Sequence, residues 1–150
     1  MPLGRGFCCY ILSSENWPTP YTGKTNHLAR RVHQHNHHSV RSRAYTKGKG
    51  PWRVAAVVVG LRSNRQAVWL ERAIKRHAKH RTRQSGLNPV QTAILSAIRT
   101  ASLPERWWRN LPNQPLPVLT IHVFATPLPK DLLIDAAKHP HHVQCHLRGF

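Results

Sequence analysis

Residues 7–25 read FCCYILSSENWPTPYTGKT, and the way this stretch pairs with itself decides the fold. Phe7 to Ser13 is rich in aromatic and aliphatic side chains and predicts a strand. A Pro-containing connection through Asn16, Pro18 and Pro20 then leads into Tyr21-Thr22-Gly23, so the pair reads as a hairpin with a long loop. Two tyrosines on neighbouring strands, Tyr10 and Tyr21, can present both hydroxyls at one end of a groove, although such residues are more often packed as amphipathic core. Lys24 follows closely enough to approach either phenol, and a nearby cation makes a phenolate easier to form.

Downstream, Thr25 or Asn26 is the expected N-cap of a helix HLARRVHQHN, with Leu28 and Val32 four apart and Arg31 and His35 on the same stripe. Residues 37–51, with Gly48, Gly50 and Pro51, predict a basic loop. Arg53 to Gly60 is almost wholly apolar, as a strand buried on both faces should be, and is the expected sheet centre. Ser63 or Asn64 can cap a second helix, QAVWLERAIKRHAKH, whose inward stripe is Ala67, Leu70, Ile74 and Ala78. Glu71 falls in the middle of that stripe. A carboxylate on an apolar seam is costly unless a cation or hydrogen-bond donors meet it, so Glu71 is either a metal ligand or one half of an ion pair with Arg31 or another cation. Asn88-Pro89 opens a third helix with Val90, Ala93, Ile94, Ala97 and Ile98 on one side. Trp107-Trp108 and Pro112 to Pro117 read as a connector, Val118 to Ala125 as a strand, and Pro129 to His139 as a short helix.

The charge balance names the class of partner. The chain has 150 residues with 23 Lys plus Arg against 5 Asp plus Glu, a formal net charge of +18. Residues 1–103 carry 18 of the bases and only Glu15 and Glu71 among the acids, so the first two-thirds meets the polyanion. Three cysteines cannot build a disulfide framework or a four-cysteine zinc module, which points to a reducing compartment. The longest apolar runs are too short to span a bilayer, and residues 1–15 lack the pattern of a signal peptide, so an intracellular protein with no membrane partner is expected. The clustered His139, His141, His142, His146 and Cys145 read as a solvated tail rather than a zinc site.

Phosphodiester hydrolysis needs groups to place the phosphate, a cation to absorb developing charge, and a base for water. The two carboxylates of residues 1–103 are too few for a two-metal site. One Mg²⁺ or Mn²⁺ held by Glu71, with water and phosphate oxygens completing its shell, remains open.

These residues also carry a resemblance. FCCYILSS, YTGKT, LARRVHQHN, GKGPWRVAAVVVGL and AVWLERA resemble, in order and spacing, the motifs of the GIY-YIG nuclease superfamily over residues 7–77, and are most similar to its Slx-type structure-selective endonuclease branch. Cys8 and Cys9 stand where the family has Gly and Ile before Tyr10, and Thr22 replaces the Ile between Tyr21 and Gly23. The resemblance implies a small α/β domain, a short central three-stranded antiparallel or mixed sheet flanked by helices, with a C-terminal helix and strand extension. Residues 1–84 would be the nuclease core and 85–150 the extension packing on it. It implies Tyr10 and Tyr21 at the active site with one as or beside the general base, and Lys24 next to it. Arg31 would grip the scissile phosphate, His35 assist there, and Glu71 hold the metal. Arg30, Arg41, Arg43, Lys47 and Lys49 would lie along the DNA backbone, with His33, His37 and His38 extending that surface.

The expected activity is metal-dependent DNA endonucleolysis on branched, flapped or single-stranded DNA, in a nucleus, nucleoid or viral replication site. In-line attack by a water deprotonated at Tyr10 or Tyr21 is the expected chemistry. The alternatives are a catalytically inactive basic nucleic-acid-binding protein on the same scaffold and an RNA-binding or ribosome-associated basic protein. The branch's RING domain is not matched here, which puts a scaffold subunit in doubt, and a homodimer stays open.

Overall fold

The computed structural model describes residues 6–37, 45–81, 86–101, 119–124 and 143–147. Chain order is β1 (Phe7–Ser14), β2 (Trp17–Thr25), α1 (Leu28–Asn36), β3 (Arg53–Leu61), α2 (Asn64–Arg81), α3 (Pro89–Ala101), β4 (Leu119–Val123) and β5 (Val143–Leu147). The described strands form one sheet in the order β2-β1-β3-β4-β5. The first four pair antiparallel, and β5 joins the far edge parallel to β4.

The expected three-stranded sheet is therefore too small. β4 bonds directly to β3 and extends the sheet, and 143–147, read as part of a solvated tail, is a strand. β1 and β2 are not joined by a long loop either. β2 begins at Trp17, so a turn at Glu15-Asn16 closes the hairpin. Pro18 and Pro20 lie inside β2, which an edge strand tolerates because alternate N–H groups have no neighbour to bond.

β3 occupies the middle of the described sheet because Ala55 to Val58 leave no polar side chain to solvate on either face. One face is covered by α2 and α3. Cys9, Ile11, Ala56 and Val58 pack there against Ala67, Leu70, Ile74, Ala93, Ile94, Ala97 and Ile98. On the other face Cys8, Tyr10, Leu12 and Val57 pack with Tyr21, Leu28 and Trp52.

Local signals set the helix starts. α1 is capped by His27, whose Nδ1 accepts from the Arg30 backbone N–H at 3.2 Å. The expected cap, Thr25, instead receives the His27 N–H on its hydroxyl. Ser63 caps α2 by accepting from Gln66 N–H. At α3, Asn88 Oδ1 accepts from Gln91 N–H while Gln91 Oε1 accepts from Asn88 N–H, the reciprocal capping arrangement, with Pro89 at the first helical position. Trp107-Trp108, Pro112 to Pro117 and the helix expected over Pro129 to His139 lie outside the described residues.

Candidate active site

The site gathers at the β2 edge, where α1 and α2 approach the β1–β2 ladder. Tyr10 faces Gly23 in register, and Tyr21 lies two residues further along β2, opposite Leu12. With no side chain at Gly23, the Tyr10 phenol crosses the neighbouring strand: a Cβ there would stand 2.5 Å from Tyr10 Oη and 3.0 Å from the Tyr21 ring. The two phenol rings are tilted to each other with centroids 6.2 Å apart. Each is buried, Tyr10 at 1% exposure and Tyr21 at 8%.

α1 brings Arg31 and His35 to the same place because residues four apart share a helix face. His35 is fully buried. Its Nε2 is 3.0 Å from Tyr10 Oη and its Nδ1 is 2.8 Å from Thr46 Oγ1. Its ring lies 4.8 Å from that of Tyr21. Arg31 is half-buried, donates from Nη1 to Gln34 Oε1 at 2.9 Å, and lies close enough to Tyr10 to favour the charged form of its phenol. Both ring nitrogens of His35 are engaged, one by a phenol and one by a hydroxyl, each of which can donate or accept. Asn36 ties the end of α1 to the start of β3: its Nδ2 donates to Trp52 O at 3.0 Å and its Oδ1 accepts from Trp52 N–H at 2.6 Å.

Burial, reinforced by the neighbouring Tyr21 phenol, holds Tyr10 well above the ordinary phenol range; Arg31 offsets this in part, and Glu71 adds to it. Glu71 also raises Cys9, after the larger effect of burial. One carboxylate therefore acts on both residues of the first motif. Cys9 fixes the spacing by donating its thiol to Ala67 O at 3.3 Å, which seats α2 on β1 one turn before Glu71. The Glu71 carboxylate is only 14% exposed and pairs with Lys75 Nζ at 2.7 Å, while the Lys75 side chain is 49% exposed. The ion pair expected for Glu71 in the absence of metal thus exists, with Lys75 as the cation rather than Arg31. The Glu71 carboxylate is largely shielded from bulk water and lies near enough to Tyr10 for its charge to act on that phenol.

Glu15, the other carboxylate among the described residues, is exposed in the β1–β2 turn. No group of three or more His, Cys, Asp or Glu able to hold a metal occurs among those residues. This donor set does not fit a closed zinc site. It fits a Mg²⁺-like ion that keeps most of its water and takes one protein carboxylate.

Lys24 is not brought to the phenols. It stands opposite Cys9, and its Nζ donates to Asn64 Oδ1 at 2.9 Å, linking β2 to the start of α2. Arg30 and Lys47 are exposed, as are His33 and His37, whose rings stack at 4.0 Å. Lys49 lies 4.4 Å from the Trp17 ring centroid and 4.0 Å from that of Tyr45. Arg41, Arg43 and His38 lie outside the described residues. Sequence reasoning missed Gly23's steric role, Thr46, Asn36, Tyr45 and Lys75. Only Lys75 carried a local signal, its i,i+4 spacing from Glu71.

The model of the GIY-YIG catalytic domain matches residues 6–88. The chain belongs to the GIY-YIG family. Curated relatives carry the name structure-specific endonuclease subunit slx1. The sequence is 39% identical to that of Pyrenophora tritici-repentis over 72 residues, 47% of this chain and 20% of the relative. That of Phaeosphaeria nodorum is 38% identical over the same extent, and that of Schizosaccharomyces japonicus 32% identical over 114 residues, 69% of this chain and 41% of the relative. The chain thus spans between a fifth and two fifths of the length of these relatives. In GIY-YIG terms, Tyr10 and Tyr21-Thr22-Gly23 form the paired motifs.

Proposed function

We propose that this GIY-YIG domain is a DNA endonuclease that hydrolyses phosphodiester bonds in branched, flapped or single-stranded DNA, a reading supported by its strong positive charge and by relatives named structure-specific endonuclease subunits. The observation that carries the reading is the convergence of two phenols, an arginine and a lone inward-facing carboxylate on one edge of a strongly basic domain.

Arg31 is the phosphate-gripping group, because it stands beside the Tyr10 phenol while remaining partly solvent-accessible. Tyr10, held protonated by burial, is a poor base; it hydrogen-bonds His35 and keeps it in place. That leaves Tyr21, which also lines the open cleft beneath the Lys75 ammonium, to take the proton from the attacking water. His35 has both ring nitrogens engaged and acts by positioning the phenols. Glu71 would hold one Mg²⁺ or Mn²⁺, which when bound supplies a Lewis acid for a non-bridging phosphate oxygen. Arg30, Lys47 and Lys49, with Arg41 and Arg43, would position the DNA backbone without reading sequence. A DNA substrate sets the place of action at a nucleus, nucleoid or viral replication site.

The test compares wild type, Glu71→Gln and Arg31→Ala on single-stranded DNA, a flap, a four-way junction, duplex and matched RNA, measuring cleavage and binding side by side. Each variant should lose about 10²–10³ in cleavage rate, the usual cost of removing one group that stabilises transition-state charge. Glu71→Gln should bind as tightly as wild type. Unaltered cleavage by both variants would reject the hydrolase and leave a basic nucleic-acid-binding protein.

A further inference from the structure

Beside the phenols, between β2 and the helices α2 and α3, lies a cleft of about 450 Å³. Tyr21 forms a wall shared with the catalytic groups. Tyr45 stands next to it with ring centroids 6.0 Å apart and an interplanar angle of 32°. Pro89 and Ala78 supply apolar lining, Thr92 a hydroxyl, and Lys75 an ammonium, half exposed, at the mouth. Two tilted aromatic faces, an apolar lining and a single cation suit a flat heterocycle attached to a phosphate. Tyr45 is 40% exposed and leads outward to Trp17, 37% exposed, whose Nε1–H reaches Tyr45 Oη at 3.4 Å. The Lys75 ammonium is held at this edge by Glu71 at 2.7 Å with half of its side chain exposed, so it can meet a phosphate attached to a base that the rings stack.

We propose that this cleft is a base-binding subsite that accepts one unstacked nucleobase of an unpaired DNA strand, next to the phosphate held at Arg31 and Lys75. It rests on the nuclease reading and deepens it: a base paired within a duplex cannot enter, so the cleft favours flaps and single-stranded arms over continuous duplex. The net charge of +18 supplies the attraction for the strand, and the rings supply the discrimination.

The test is an abasic scan. Flap DNAs, each lacking one base along the unpaired arm, are titrated onto Glu71→Gln by fluorescence anisotropy at 0.15 M salt. One position near the junction should weaken binding about tenfold, the scale of a lost base–aromatic stack. Tyr45→Ala in the same background should weaken the intact flap by a similar factor and abolish the position dependence, while Tyr45→Phe should retain both. Ala78→Phe, which fills the cleft, should reproduce the Tyr45→Ala result. A flat scan overturns the subsite, and if wild type still cuts the flap, the nuclease reading survives that failure. A position-dependent loss in a protein that cuts no DNA upholds the subsite and rejects the nuclease.

Discussion

The hydroxyl of Tyr10 occupies the space that a side chain on Gly23 would need, across the β1–β2 ladder, with only 2.5 Å between Tyr10 Oη and the missing Cβ. The obstacle is a buried ring hydrogen-bonded to His35, not the loose end of a flexible chain.

Gly23→Ala should therefore cost about 1–3 kcal/mol, the usual penalty for overpacking, because the ring can yield only by breaking its bond to His35. Cleavage should fall further than stability alone explains, since Tyr10 and Tyr21 both shift. Thermal unfolding and a cleavage assay on the variant check this, and a fully active, equally stable variant would contradict it.

Alkaline pH should weaken the fold. Tyr10, Cys8 and Cys9 all resist ionisation in the folded state: burial pushes the Cys8 thiol up to about 11, and Cys9 and Tyr10 are driven upward for the same leading reason. A group with a raised folded pKa stabilises fully below its unfolded value and loses that contribution as pH climbs through the folded one. Stability should hold below about pH 8.5, the ordinary thiol value, and decline as pH rises through 11. Urea midpoints measured from pH 7 to 11 test the slope, and Tyr10→Phe should make it shallower toward the upper end.

Lys75 Nζ rests on the carboxylate oxygen that a divalent ion would seek. Lys75→Met should lower the Mg²⁺ concentration needed for half-maximal cleavage by about two- to fivefold, within the 0.2–1 kcal/mol typical of an ion pair whose ammonium stays half exposed. Stability should change by no more than that. A metal titration that moves the other way would show that the ammonium does not compete.

Asn36 closes two hydrogen bonds on the backbone of Trp52. Asn36→Ala strands both backbone groups and should cost about 1–3 kcal/mol. Because His35 is the adjacent residue, the His35 ring should also lose its fixed setting. Its NMR line widths or exchange broadening would report this, and sharp, unshifted His35 signals would argue against it.

Much of this arrangement was legible because it is local. The apolar run at Arg53 to Gly60 could only be a central strand, and Arg31 and His35 had to share a face of any helix that formed there. Asn88-Pro89 announced α3, and Glu71 stood out as a charge on an apolar seam. What escaped depends on distant pairing. Pro18 and Pro20 looked like loop residues because their tolerance in β2 follows from its being at the sheet edge, which no local window reveals. Lys24 lies near the phenols in sequence, yet Asn64, 40 residues away, takes its ammonium. Thr46 became the second partner of His35 through a loop closure with no periodicity to betray it. β5 was hidden because its pairing with β4 joins segments far apart in the chain.

The prolines in β2 also bear on how the molecule keeps company with itself. An unprotected outer strand is a template for recruiting further chains, edge to edge, into aggregates. Two ring nitrogens without protons interrupt that template beside the phenols. Self-assembly through strand addition is discouraged on this flank, and its surface stays open to a long, flexible polyanion.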